Sequence, residues 1–343
     1  MWLPLLLADK SANLRYLVLC ELFSLKDNNE EIKELASLRM EDPLLTDLQY
    51  LQNTDGSWEK GDFVGGVHST KLFATSQALT RLGYLGYGKE FPTVKKGAEY
   101  LFTLQNEDGS WPLPKSREIQ LEKGGYEKMT LQTAIPLRGL AMCGYSTDSR
   151  VEKAYDWILE QKMSDGAWPT GYVKGNFGYV AGYRKIAHSR WGCRSNTTGA
   201  LICLTLHPKY VKSEEAKKAL DLLLGRDTYE QYTFGFEVAR TIGAEQATGF
   251  ITYFARYDLS LMLKLCWKIG ASLDDMRVKE LVEFIKKLQG KFGLWEYPPK
   301  PQASRWVTFD LIRSLSNLDE QGNWINFEPR TPFQTYPKKL KRF

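Results

Sequence analysis

Apolar stretches of this sequence are repeatedly preceded by cationic residues: His68-Ser69-Thr70, Lys128-Met129-Thr130, Arg190 to Arg194, Arg256-Tyr257-Asp258 and Arg305-Trp306-Val307-Thr308. If each stretch is a helix, the cations sit where free backbone N–H groups and the positive end of the helix dipole already attract anions. Dipole logic alone would favour acids there. A shared basic preference points to an anion site built from His68, Arg194, Arg256 and Arg305. The plainer alternative is a set of solvated cations at loop ends. Two acids lie within the same stretches, Asp258 and Asp310. Either is a candidate proton donor with a shifted pKa, or simply a partner for Arg256 or Arg313. Trp191, Tyr253, Phe254, Tyr257, Trp267 and Trp306 crowd around these positions. They could line an apolar cavity and stabilise a cation through their ring faces, although any single one reads more simply as core.

The elements that must carry these residues emerge from a repeat. Four segments share one pattern: Leu51 to Trp58 (LQNTDGSW), Leu104 to Trp111 (LQNEDGSW), Glu160 to Trp168 (EQKMSDGAW) and Leu288 to Trp295 (LQGKFGLW). Their glutamines, Gln52, Gln105, Gln161 and Gln289, are 53, 56 and 128 residues apart. The last step is about two periods, and Leu222 to Tyr229 fits the missing copy, with Tyr in place of Trp. An amphipathic stretch precedes each copy, so the Gln falls at a helix C-terminus. Asp-Gly then reverses the chain, and the Trp offers a large face to clamp the turn. Asp55, Asp108 and Asp165 therefore read as turn formers.

Between copies, two helix types alternate. The charged, two-faced set covers about 31–51, 93–104, 148–161, 213–224 and 274–288, with Thr93, Thr147, Ser213 and Ser272 as candidate N-caps. The more apolar set covers about 12–25, 70–86, 129–144, 195–206, 255–270 and 303–317. Gly86, Gly144 and Gly270 stand at stop positions. Two-faced helices lie outside and apolar ones inside. The expectation is an all-α chain with six inner helices, pointing one way if hairpins alternate strictly. The long loops 172–193 and 229–254 then form a rim at the inner helices' starts.

The Gln…Asp-Gly-Ser/Ala-Trp copies resemble the QW motifs of the terpene cyclase and protein prenyltransferase superfamily, a squalene-cyclase-like likeness spanning about residues 50–320. The resemblance implies an α6/α6 toroid (an α/α barrel) around a central apolar cavity. It also implies a small apolar or prenyl-diphosphate ligand, hence a terpenoid cyclase or prenyltransferase. An open helical solenoid is the runner-up architecture. The chain 1–343 reads as one such domain with a short basic tail over about 330–343. Protonating cyclases of this superfamily carry Asp-x-Asp-Asp, and this sequence has none. Its only adjacent pair, Asp274-Asp275, falls at an outer helix start where acids suit the dipole. Asp-Asp-x-x-Asp is absent as well. Two other classes stay open. One is a non-catalytic toroid that binds a lipid or a protein. The other is a glycoside-active α6/α6 enzyme with two carboxylates across a groove.

Composition narrows the rest. The 343 residues carry a net charge of +5, too mild to argue for nucleic acid. No apolar run is long enough for a spanning helix, and the start Met1 to Lys10 lacks the features of a signal peptide. Cys20, Cys143, Cys193, Cys203 and Cys266 form no CxxC, which suits reduced core thiols and a cytoplasmic setting. His188, Cys193 and Asp258 match no zinc signature, so no metal is expected, and no cofactor. The basic end Pro337 to Phe343 reads as a solvated tail. With the apolar segment Trp2 to Leu7, it also suits peripheral contact with an anionic membrane surface.

Overall fold

The computed structural model describes residues 3–26, 28–59, 70–115, 125–225, 232–246, 249–319 and Trp324. Among them, helices run in chain order as α1 (Leu3–Leu7), α2 (Ala12–Leu22), α3 (Glu30–Leu38), α4 (Pro43–Tyr50), α5 (Lys71–Tyr84), α6 (Pro92–Thr103), α7 (Thr130–Leu140), α8 (Ser149–Glu160), α9 (Arg194–Leu204), α10 (Glu214–Leu224), α11 (Phe236–Thr241), α12 (Leu259–Ile269), α13 (Met276–Lys287) and α14 (Ser304–Ser316). The described strands are two-residue pairings only. The fold is an all-α toroid.

Its inner ring is α2, α5, α7, α9, α12 and α14, and α14 packs back on α2 to close it. The inner helices run parallel. Arg305 and Arg313 of α14 meet Asp9 and Glu21 at the two ends of α2. Lys264 meets Asp310 midway along α12 and α14. Sulfur contacts stitch neighbours: the Cys143 thiol donates to the Leu79 carbonyl and Cys203 to that of Ala134. The five cysteines are free. No described helix is long and apolar enough to cross a membrane.

The outer layer is α3–α4, α6, α8, α10 and α13. The expected helix over 31–51 is broken, because Asp42 caps a new helix whose first residue is Pro43. Ser213 caps α10 as expected. Asp148 and Asp275 cap α8 and α13 in place of Thr147 and Ser272, and Phe91 stands before Pro92 at the start of α6.

The repeat turns are what join the outer helices. In each of the four copies with a Trp, the indole N–H donates to the carbonyl ten residues earlier: Trp58 to Leu48, Trp111 to Leu101, Trp168 to Ile158 and Trp295 to Ile285, all at 2.7–2.8 Å. The ring thus satisfies a carbonyl in the last turns of its own outer helix. The backbone of Trp58, Trp168 and Trp295 donates to a threonine hydroxyl on the following inner helix, Thr75, Thr197 and Thr308. Gln52 donates both to Gly56 within its turn and to Thr93 at the start of the next outer helix, and Gln105 does the same with Gly109 and Arg150. The turn glycines have positive φ, and a Cβ at Gly56 or Gly109 would lie 2.3 or 2.5 Å from backbone of Lys96 or Lys153 on that next helix. Any side chain there would push adjacent outer helices apart. The copy expected at Leu222 to Tyr229 lies partly outside the described residues.

Trp58, Trp111 and Trp168 have no exposed surface. Trp58→Ala or Trp111→Ala is expected to cost about 3–5 kcal/mol in urea unfolding, through lost packing and an orphaned carbonyl. A cost within about 0.5 kcal/mol would show that the ring does not clamp the turn.

Candidate functional site

The middle of the ring is occupied by the chain itself. The segment expected to form a rim loop instead turns inward as α11, and all six residues of this helix are buried. It packs against α5, α12 and α14. A short helix in an apolar interior needs its polar ends satisfied, and this one uses charged side chains. Glu237 accepts from Arg138 of α7 and from Arg240 of its own helix. Burial pulls the Glu237 carboxyl upward, but the two guanidinium groups outweigh it and hold it below its ordinary range. Arg240 also donates to the Tyr253 carbonyl at 2.6 Å and stacks over the Tyr253 ring at 3.6 Å. Arg81 of α5 donates to the Thr241 carbonyl at 3.0 Å, which satisfies the helix's last turn.

Asp258 holds the other end of this helix. Its carboxylate accepts from Ser260 and Leu261 as the cap of α12, and from Gly235 and Glu237 at the start of α11. One side chain thus caps two helices. Burial pushes its pKa up to about 6, against the downward pull of those N–H donors. The same burial that makes it an acid candidate also removes it from reach of a ligand.

Asp310 lies elsewhere, on the wall of a cavity beside the C-terminal turns of the inner helices. The cavity has a volume of about 60 Å³. Its apolar wall includes Met142, Ile202, Leu206, Val238, Leu261 and Leu265, and its polar wall Tyr84, Arg138, Glu237, Lys264, Lys268 and Asp310. Beside it lies an open groove of about 340 Å³ between the ends of α5 and α7, with Tyr87, Phe91 and several glycines. Met142 belongs to both. Asp310 pairs with Lys264 at 3.3 Å and with Arg313. Burial raises its pKa, but those two cations outweigh burial and keep it ionised below the usual carboxylate range. Burial, reinforced by Arg313 and Arg138, lowers Lys264 to about 8.

The expected anion-binding residues fall at the opposite end. Arg194, Arg256 and Arg305 do share the end where inner helices begin, and each is engaged by protein. Arg194 is buried and donates to the Ala255 carbonyl at 3.2 Å. Arg256 stacks over Phe236 at 4.1 Å, and Arg305 pairs with Asp9 at 3.1 Å. His68 lies outside the described residues. None of the six expected cavity aromatics lines the 60 Å³ cavity. Tyr253, Phe254, Tyr257 and Trp306 are core, and Phe254 and Tyr253 pack on Arg240. Trp191 and Trp267 are half-buried, against Phe177 and Lys268. Asp275 caps α13 and, with Asp221, holds Arg277. Cys193 accepts from Asn196, and His188 stands in a positive-φ turn. Sequence reading missed Tyr84, Arg138, Lys264 and Lys268. For the cations a signal was available, charges within otherwise apolar helices, as in LSLMLKLCWKI, whereas nothing in the sequence marks Tyr84.

Asp258 supplies a pH test. Its folded pKa of about 6 exceeds its ordinary value of 3.8, so folding takes up a proton between those values. Its contribution to stability is largest below about pH 4 and is lost as pH rises through 6. Relative to Asp258→Asn, the wild type should gain roughly 2–3 kcal/mol of unfolding free energy between pH 7 and pH 4. A difference independent of pH would contradict this assignment.

Residues 30–185 match the sequence model of the squalene-hopene cyclase C-terminal domain. A squalene–hopene cyclase of Zymomonas mobilis is 28% identical over 143 residues, covering 41% of this chain and 20% of that protein. A lanosterol synthase of Candida albicans is 27% identical over 138 residues, covering 38% and 18%. The chain therefore matches about a fifth of the length of these curated relatives. Among solved structures, a type II terpene cyclase from Scytonema in complex with geranylgeranyl dihydroxybenzoate aligns over 79% of this chain and 70% of that chain, at 15% identity and a TM-score of 0.48. The family match over residues 30–185 and the cyclase relatives together support a terpene cyclase-like superfamily for this chain.

Proposed function

We propose that this toroid binds an isoprenoid chain at the end where the inner helices finish, and does not start its cyclisation by protonating an alkene. What carries the reading is the state of Asp310. It is the carboxylate of the cavity wall not tied to the interior helix, and Lys264 and Arg313 keep it charged. Alkene protonation needs a carboxyl group that is both protonated and strongly acidic. Asp258 holds a proton more readily, but its oxygens are spent on four backbone N–H groups. The sequence also lacks Asp-x-Asp-Asp.

Binding is supported by the wall itself. Met142, Ile202, Leu206, Leu261 and Leu265 offer methyl and methylene surface of the kind a branched hydrocarbon fills. The adjoining groove, with Tyr87 and Phe91, gives the rest of the chain a course past Met142. The relatives named squalene–hopene cyclase and lanosterol synthase lend the isoprenoid class its priority over other apolar ligands.

The test is incubation of purified protein with farnesol, geranylgeraniol and squalene. Thermal shift is expected to show stabilisation by at least one of them, and mass spectrometry no cyclised product. Met142→Trp, which fills the passage, should abolish the shift. Cyclic products that vanish in Asp310→Asn would contradict the binding-only reading, and the absence of any shift would contradict binding.

A further inference from the structure

The cavity's polar wall has donors and positive charge in excess of what the protein uses. The Tyr84 hydroxyl and the Arg138 Nε are buried with no hydrogen-bond partner among the described residues. Burial lifts the Tyr84 pKa well above its ordinary value, so its oxygen keeps its proton. Lys268 follows Lys264 by one helical turn, is partly buried, and lies over the Trp267 ring at 4.1 Å. Among the described residues the charges around the cavity do not balance. Arg138 and Arg240 share the single carboxylate of Glu237. Lys264 and Arg313 share Asp310, and Arg313 also reaches Glu21. Lys268 adds a further cation, which burial and Arg313 make easier to deprotonate. An orphaned buried donor costs about 1–3 kcal/mol, and more when it is charged. A site with two such donors and surplus charge is built to receive an acceptor-rich anion.

Size decides which anion. A volume of about 60 Å³ holds roughly four to six water-sized groups. A carboxylate with its first carbons fits, whereas a diphosphate with its two phosphoryl groups does not. The geometry points to a carboxylate-headed apolar chain as the ligand: the head accepts from Tyr84, Arg138, Lys264 and Lys268, and the tail runs along Met142 into the groove between α5 and α7. The apolar-chain part of this inference rests on the binding reading above; the choice of head does not.

The charges facing Lys264 come from every side of the cavity: Asp310 and Arg313 of α14, Arg138 of α7, Lys268 of α12, Glu237 of α11, with the neutral Tyr84 of α5. Lys264 loses its proton near pH 8 in the free protein. Affinity for a carboxylate should therefore fall from pH 7 to pH 9, while affinity for an alcohol should not.

The experiment is calorimetric titration at pH 7 with farnesol, farnesoic acid, farnesyl diphosphate, decanoate and acetate. The expected order is farnesoic acid at least tenfold tighter than farnesol and than farnesyl diphosphate, with acetate undetectable. Lys268→Met and Lys264→Met, each checked for unchanged helix content, should bring farnesoic acid to within threefold of farnesol. Lys268→Arg should restore most of the preference. Equal affinity for acid and alcohol, or a preference that survives in both methionine variants, would overturn the carboxylate head while leaving isoprenoid binding intact. Tighter binding of the diphosphate would overturn the size argument. Binding of decanoate with no binding of any farnesyl compound would uphold the head and overturn the isoprenoid reading. No binding by any of the five would overturn both.

Discussion

The structure turns on one buried carboxylate. Glu237 joins α7 to the helix at the centre of the ring, and Arg240 ties the same carboxylate back to the Tyr253 carbonyl. Removing charges from water is expensive, and two guanidinium groups on one carboxylate repay it only with good geometry and further hydrogen bonds. Here those bonds exist: Thr241 accepts from Arg138, and the Thr241 carbonyl from Arg81. The network fixes α11 in place, and α11 in turn fills the space that an empty toroid would leave. What remains as cavity is the residue of that filling, displaced toward the ends of the inner helices.

The outer layer is governed by a different constraint. Each repeat turn must end one outer helix, redirect the chain into an inner helix and rest on the next outer helix. Trp, Thr, Gln and Gly each discharge one part of this. The Trp indole ends the helix, an inner-helix threonine receives the chain after Trp58, Trp168 and Trp295, Gln52 and Gln105 reach across to the next outer helix, and the Gly permits contact. Because the residues are local in sequence and repeated, the architecture is legible in the sequence. Inner and outer helices were expected within a few residues of where they lie. The errors have local causes. Pro43 splits the first outer helix, and the fifth inner helix starts at Leu259 because Asp258 must cap it.

The site was much less legible. Placing cations at the inner helices' starts was sound for Arg194, Arg256 and Arg305. Their partners, however, are long-range: the Ala255 carbonyl, the Phe236 ring and Asp9. Spacing does not reveal such pairings. The same holds for the centre, since a segment of modest helical pattern, FEVART, becomes helical by tertiary contact. Once that segment fills the middle, Tyr253, Phe254, Tyr257 and Trp306 become core, and Trp191 and Trp267 stay half-buried. Asp310, a candidate from the sequence, joins Arg138 and Lys264, which the sequence reading passed over, as the chemistry of the wall.

Helix α11 belongs to the core of the ring and does not act as a lid over it. Native-state hydrogen exchange on the amides of Val238, Ala239 and Ile242 tests this most directly. Ala239 and Ile242 donate to Gly235 and Val238 within the buried helix. These amides are expected to exchange only with the free energy of global unfolding, together with the amides of α7. Exchange at several kcal/mol below the global value, in a cooperative unit confined to residues 235–242, would show a segment that opens on its own and would contradict the account.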